Sequence, residues 1–201
     1  MANCDECGID ESGLAITDAL NALRSFPRRY TEAVAGMDEA SLRRRPSPEV
    51  WSALEYLVHV REVLELLAMT LPLVLDQPGL ELPDMDADDA AATRPDWVMN
   101  VDLALDGIRT ACAQLVELGA AQRPEAWERP FSIGATQHDA GWILRHAAHE
   151  GAHHLRDIAS VRALSRGGVL TQQLVRKSSG MVESRTTTAT RDADTPRRVL
   201  P

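Results

Sequence analysis

The sequence predicts an all-α protein, a four-helix bundle with long inter-helix loops. Three observations carry this. Leu and Ala outnumber Val, Ile, Phe and Tyr within a hydrophobic fraction of 44%, a balance that favours helix over sheet. Four segments repeat apolar residues at helical spacing, and none sustains strand alternation. Helices of this length bury an apolar face most simply against one another.

The first helical segment runs from about Ser12 to Ala35 and contains Pro27. A proline inside a helix either kinks it or marks where its main part begins. The second segment has the clearest start signal. Ser52 is followed three residues later by Glu55, a capping box, with Trp51 and Tyr56 placed to form a hydrophobic staple. Apolar positions then continue through Leu57, Val60, Val63, Leu64, Leu67 and Leu71 to near Val74. The third segment runs from about Asp96 to Leu118, with Val101, Leu105, Ile108, Cys112 and Leu115 on one face. The fourth starts near 136–139 and ends before Gly167-Gly168. The links Asp76–Pro95 and Gly119–Gln137 are long, and the first is rich in Pro and Asp. Loops of that length on a bundle are often functional.

These patterns divide the chain into a flexible N-terminus with a CxxC (1–11), a bundle domain (12–168) and a tail (169–201). From about Arg176 the chain becomes Ser/Thr/Arg-rich and loses core-forming residues, so the tail reads as disordered. The net charge of −9 argues against a general nucleic-acid binder. No apolar run approaches the ~20 residues of a membrane span. The opening MANCDECGIDES has neither the basic nor the apolar region of a secretory signal. Three cysteines, Cys4, Cys7 and Cys112, do not make a disulfide framework, which points to a reducing cytoplasm.

Four of the six histidines fall in HAAHEGAHH, His146 to His154. Residues four apart share a helix face, which offers two pairs: His149 with His153, and Glu150 with His154. A wheel advancing about 100° per residue from Trp142 separates them. Ile143, Ala147, Ile158 and Val161 put the core direction near about 140°, with His154 at about 120° and Glu150 at about 80°. His149 at about 340° and His153 at about 20° share the polar side with Arg145 and Arg156, and His146 flanks the inward pair at about 40°. On the second helix, His59 lies at the border of the core face. Two imidazoles and one carboxylate, His59, Glu150 and His154, suit Zn²⁺, Ni²⁺, Fe²⁺ or Mn²⁺ with positions left open. Glu55, Glu62 and Asp157 lie near the same edge, either as acceptors that orient the imidazoles or as solvated charges.

Other motifs are weaker. Cys4-Asp-Glu-Cys7-Gly has the form of half a zinc ribbon or knuckle, but no second cysteine pair follows and two ligands do not close a tetrahedral site. It is either a plain flexible arm, or a small metal or redox site completed by another chain or by distant residues. Cys112 reads as core. Asp84-Met85-Asp86-Ala87-Asp88 opens like a calcium loop but has Asp89 where glycine is needed and Pro95 where glutamate is needed, so calcium is rejected. There is no phosphate-cradling glycine loop and no nucleophile-elbow serine.

At WSALEYLVH (Trp51–His59) and HAAHEGAHHLRDI (His146–Ile158) the chain resembles the DinB-like superfamily of four-helix metalloproteins. That superfamily includes mycothiol- and bacillithiol-dependent S-transferases and the mycothiol-dependent maleylpyruvate isomerase. The resemblance covers about 12–165. It carries the superfamily's metal histidine of the second helix onto His59 and the pair of the fourth helix onto Glu150 and His154. Many members have His at the Glu150 position, and the Glu form resembles the isomerase branch. The resemblance implies a divalent metal, a low-molecular-weight thiol such as mycothiol as cosubstrate, a small electrophilic substrate and a homodimer, with no membrane or nucleic-acid partner. The implied activity is a thiol-dependent S-transfer or isomerisation, the metal lowering the pKa of the thiol. His146 and His153 are the only acid–base candidates. The alternative is a non-catalytic metal-binding or stress-response bundle.

Overall fold

Helix boundaries in the computed structural model, which describes residues 4–84 and 98–166, fall where side-chain caps place them. The first long helix, α1, is Ile16–Val34 and runs unbroken through Pro27. A five-residue helix, α2 (Glu39–Arg43), follows, capped by the Asp38 carboxylate accepting from the Ser41 N–H. The next, α3 (Ala53–Asp76), begins with the capping box expected at Ser52. Ser52 Oγ accepts from the Glu55 N–H at 3.2 Å, and the Glu55 carboxylate accepts from the Ser52 N–H at 2.8 Å. The staple forms too, with Trp51 and Tyr56 ring centroids 5.5 Å apart.

Asn100 caps α4 (Val101–Ala120), several residues later than the apolar pattern suggests. Asp139 starts α5 (Ala140–Arg166) by accepting from the Trp142 N–H at 2.8 Å. At the far end of α1 the Arg162 guanidinium of α5 donates to the carbonyls of Glu32, Ala33 and Ala35. It satisfies acceptors that a helix C-terminus leaves open and places a cation at the negative end of the dipole.

Packing is cyclic. Helix α1 contacts α4 and α5, and α3 contacts the same two. Helices α1 and α3 therefore lie on one diagonal and α4 and α5 on the other, so the links 35–52 and 121–139 cross the bundle. The shared core holds Leu23, Phe26, Tyr30, Leu57, Leu64, Ile108, Leu115, Ile143 and Ile158, all fully buried. Cys112 belongs to this core, as its periodicity indicates. No helix among the described residues is long and apolar enough to cross a membrane.

The links carry a small sheet that strand periodicity did not reveal. Strand β1 (Leu80–Leu82) pairs in parallel with β2 (Pro130–Ile133), and β2 pairs antiparallel with β3 (Thr136–Asp139). Gly134, at φ 54°, takes the first central position of the two-residue hairpin turn, where a positive φ is needed. Phe131 is the sheet's buried contribution to the core. A 3₁₀ turn at Pro124–Glu128 precedes β2. The tail at 169–201 and most of the acidic loop lie outside the described residues. The N-terminal stretch, expected as a flexible arm, is described from Cys4 onward, and its side chains contact α5.

Candidate metal centre

The junction of α3 and α5 brings together His59, Glu150 and His154. One donor atom from each lies within 4.8 Å of the other two. Glu150 Oε2 is 3.6 Å from His59 Nε2 and 3.4 Å from His154 Nε2. For bonds of ~2.0–2.1 Å, neighbouring ligands of a tetrahedral ion stand roughly 3.3–3.4 Å apart. The spacing of the side chains therefore fits a small divalent cation with little movement.

Burial makes the chemistry specific. His59 is only 7% exposed and the Glu150 side chain 18%. A carboxylate at that depth needs positive charge or hydrogen-bond donors. Burial pushes the Glu150 carboxyl up, but hydrogen bonds from His154 and His59 outweigh it and hold the group well below the usual carboxylate range. Burial also opposes the His154 imidazolium, yet Asp157 and Glu150 push its pKa up to about 9. The pocket thus attracts positive charge, whether a proton or a metal ion.

The surroundings orient both rings. His154 Nδ1–H donates to Asp157 Oδ2 at 2.8 Å, which leaves Nε2 facing Glu150. Tyr56 lies against His154 and Trp51 against His59, each with ring centroids 5.3 Å apart. The staple residues therefore also form an aromatic wall of the site. Two contacts at Gly151 hold α1 close against α5. Tyr30 Oη donates to the Gly151 carbonyl at 2.7 Å, and a Cβ on Gly151 would overlap the Phe26 ring.

Glu55, Glu62 and His146 have partners outside the triad. Glu55 does not face the imidazoles; it pairs with Arg45 while completing the cap, because a capping residue is aimed back at its own helix start. Glu62 lies 3.3 Å from Arg61. His146, expected only at the flank of the inward pair, stays outside the triad. It stacks on Trp142, centroids 4.3 Å apart, and its Nδ1 faces Glu11 Oε2 at 3.2 Å.

His149 and His153 lie outside the triad, with the His153 ring centroid 4.9 Å from that of His154, and they are not solvated. The N-terminal segment covers them, leaving 14% and 15% of their side chains exposed. Glu11 accepts from His149 Nδ1–H at 2.9 Å, and Glu6 Oε2 lies 3.1 Å from His153 Nε2. These partners are separated from α5 by most of the chain. The one sequence signal for them was the CxxC beside two acidic residues.

A search of the curated proteins found no match. Among solved structures the fold is similar to YfiT from Bacillus subtilis, described as a probable metal-dependent hydrolase with an unusual four-helix bundle topology. The TM-score is 0.66 and the identity 13%, over 74% of this chain and 86% of that one, a likeness of fold. The sequence profile of the DinB superfamily matches residues 22–158, a span that runs from within α1 to beyond Asp157 and includes all three residues of the triad. By that match the chain belongs to the DinB superfamily.

Proposed function

We propose that this chain is a metal-dependent enzyme in which His59, Glu150 and His154 hold a divalent ion, and that it joins a low-molecular-weight thiol to small electrophilic molecules or isomerises them through that thiol. The observation that carries the reading is the convergence of two imidazoles and one buried carboxylate from two helices. Three protein ligands leave a coordination position open, the arrangement of catalytic rather than structural sites. When bound, the ion supplies Lewis acidity, which makes a coordinated thiol or water ionise near neutral pH.

The chain's own residues do the rest. Asp157 fixes the tautomer of His154 so that Nε2 presents its lone pair to the site. Glu150 supplies the negative charge that selects a cation. Trp51 and Tyr56 give the site an apolar flank that shields the nucleophile from bulk water. The Tyr56 hydroxyl stays protonated, pushed up to about 12 by burial and by the Asp157 charge, so it serves as a donor and not as a base.

The similarity of fold to YfiT, a probable metal-dependent hydrolase, favours a second reading, with water as the nucleophile at the same centre. One experiment separates these readings. Purified protein, loaded with Zn²⁺, Ni²⁺, Fe²⁺ or Mn²⁺ in turn, is screened against a panel of electrophiles with mycothiol, bacillithiol, glutathione or no thiol. Thiol-dependent product, lost in His154→Ala together with the ion at this centre, supports the proposal. Product formed equally without thiol assigns hydrolysis instead. Stoichiometric ion without turnover in any arm overturns the enzyme and leaves a non-catalytic metal-binding bundle.

A further inference from the structure

We propose that Cys4, Cys7, His149 and His153 form a second, structural zinc site that staples the N-terminal segment to α5. One donor atom from each of the four lies within 4.8 Å of the other three. Two thiols at C-x₂-C spacing and two imidazoles at H-x₃-H spacing are the donor set and ligand spacing of a closed tetrahedral zinc site. The missing half of the CxxC motif comes from the helix face that the wheel turns away from the triad.

The orientation of each ring supports this. Glu11 takes the Nδ1–H of His149, so the lone pair sits on Nε2. That Nε2 is buried and makes no hydrogen bond. Glu6 Oε2 lies 3.1 Å from Nε2 of His153 on the outer side of the ring, and the other nitrogen, Nδ1, lies 3.6 Å from Cys4 Sγ. Carboxylates on the outer nitrogens are the usual support of histidine ligands to zinc. Each imidazole therefore has a carboxylate on its outer side and a donor atom within 4.8 Å of both sulfurs.

The cysteine turn is shaped for the same task. Gly8, at φ 73°, closes the turn after Cys7, with its N–H donating to the Cys4 carbonyl at 2.7 Å. On binding, the two thiols release their protons to solvent, and two thiolates with two neutral imidazoles balance the charge of Zn²⁺. Four protein ligands leave no open position, so this ion holds structure and does no chemistry. It shares no ligand with the triad at His59, Glu150 and His154, although Asp157 lies against both His153 and His154.

The test uses the full chain, purified under reductant, with zinc measured by elemental analysis and Co²⁺ as a spectroscopic substitute. The expected wild-type content is two zinc ions per chain. Cys4→Ser/Cys7→Ser and His149→Ala each fall to one. His154→Ala also falls to one, but its Co²⁺ form keeps the thiolate-to-cobalt charge-transfer band that the cysteine variant lacks. Thus loss of the triad ion and loss of this one are told apart. A readout without any variant guards against misfolding: zinc should slow alkylation of Cys4 and Cys7 in the wild-type chain at least tenfold. Absence of the charge-transfer band in reduced wild type, or alkylation unaffected by zinc, overturns the site.

Discussion

Asp157 stands between two neighbouring imidazoles of α5, 2.8 Å from His154 Nδ1 and 3.5 Å from His153 Nε2. For His154 it is the partner that fixes the tautomer, whereas His153 also has Glu6. Asp157→Asn keeps an acceptor but removes the charge that makes His154 a stronger base. Loss of such a support typically costs 10–100-fold in metal affinity, so a competition titration against a chromophoric chelator should show about that loss at the triad. An unchanged affinity would mean that packing against Tyr56 alone orients the ring. At this scale the sequence was readable where the relation is local. Helical period alone separates Glu150 and His154 from His149 and His153, and the structure keeps that separation. It could not show that Glu11 holds both His146 and His149, because that contact crosses more than 130 residues and no pattern in the chain encodes it.

At the scale of the element, Gly151 shows why a helix can need its weakest former. In isolation Gly→Ala gains roughly 1 kcal/mol of helix propensity. Here a Cβ would enter the ring of Phe26, which is fully buried and has no free direction to move. Overpacking of this kind costs about 1–3 kcal/mol, more than propensity returns. Gly151→Ala should therefore lower the midpoint of urea unfolding, and Phe26→Leu in the same chain should restore part of it. A more stable single variant would show that α1 and α5 separate easily. The start of α3 was legible because Ser52 and Glu55 carry a short-range code, and the Trp51/Tyr56 staple belongs to it. The hairpin at 130–139 was not. Strands of three or four residues give no run long enough for alternation to be counted, and their apolar contribution to the core is a single Phe131.

For the whole molecule, periodicity names the buried face of each helix but not the neighbour it meets. The bundle was legible, while the diagonal placement of α1 and α3 was not, because it depends on how the links cross. The same limit hid the role of the first residues. None of the fully core residues precedes Ala19, and Leu14 and Ile16 are only partly buried against the core. The segment before Leu14 is held by its polar contacts to α5 through Cys4, Glu6 and Glu11. Removing residues 1–11 should therefore leave a folded bundle whose metal-free melting temperature stays within about 4 °C of the full chain, since no large apolar area is lost. Zinc should then separate the two proteins. An ion that binds only the folded form stabilises by RT ln(1 + [L]/Kd), about 2.7 kcal/mol at a hundredfold excess over Kd. The full chain should gain from both sites and the truncated chain from the triad alone, so their melting temperatures diverge as zinc is added. Divergence that persists in Cys4→Ser/Cys7→Ser would assign the effect to the ion pairs of Glu6 and Glu11 rather than to a bound ion. A truncated chain that fails to fold without metal would mean that the N-terminal segment is part of the bundle's foundation, against the placement of its core.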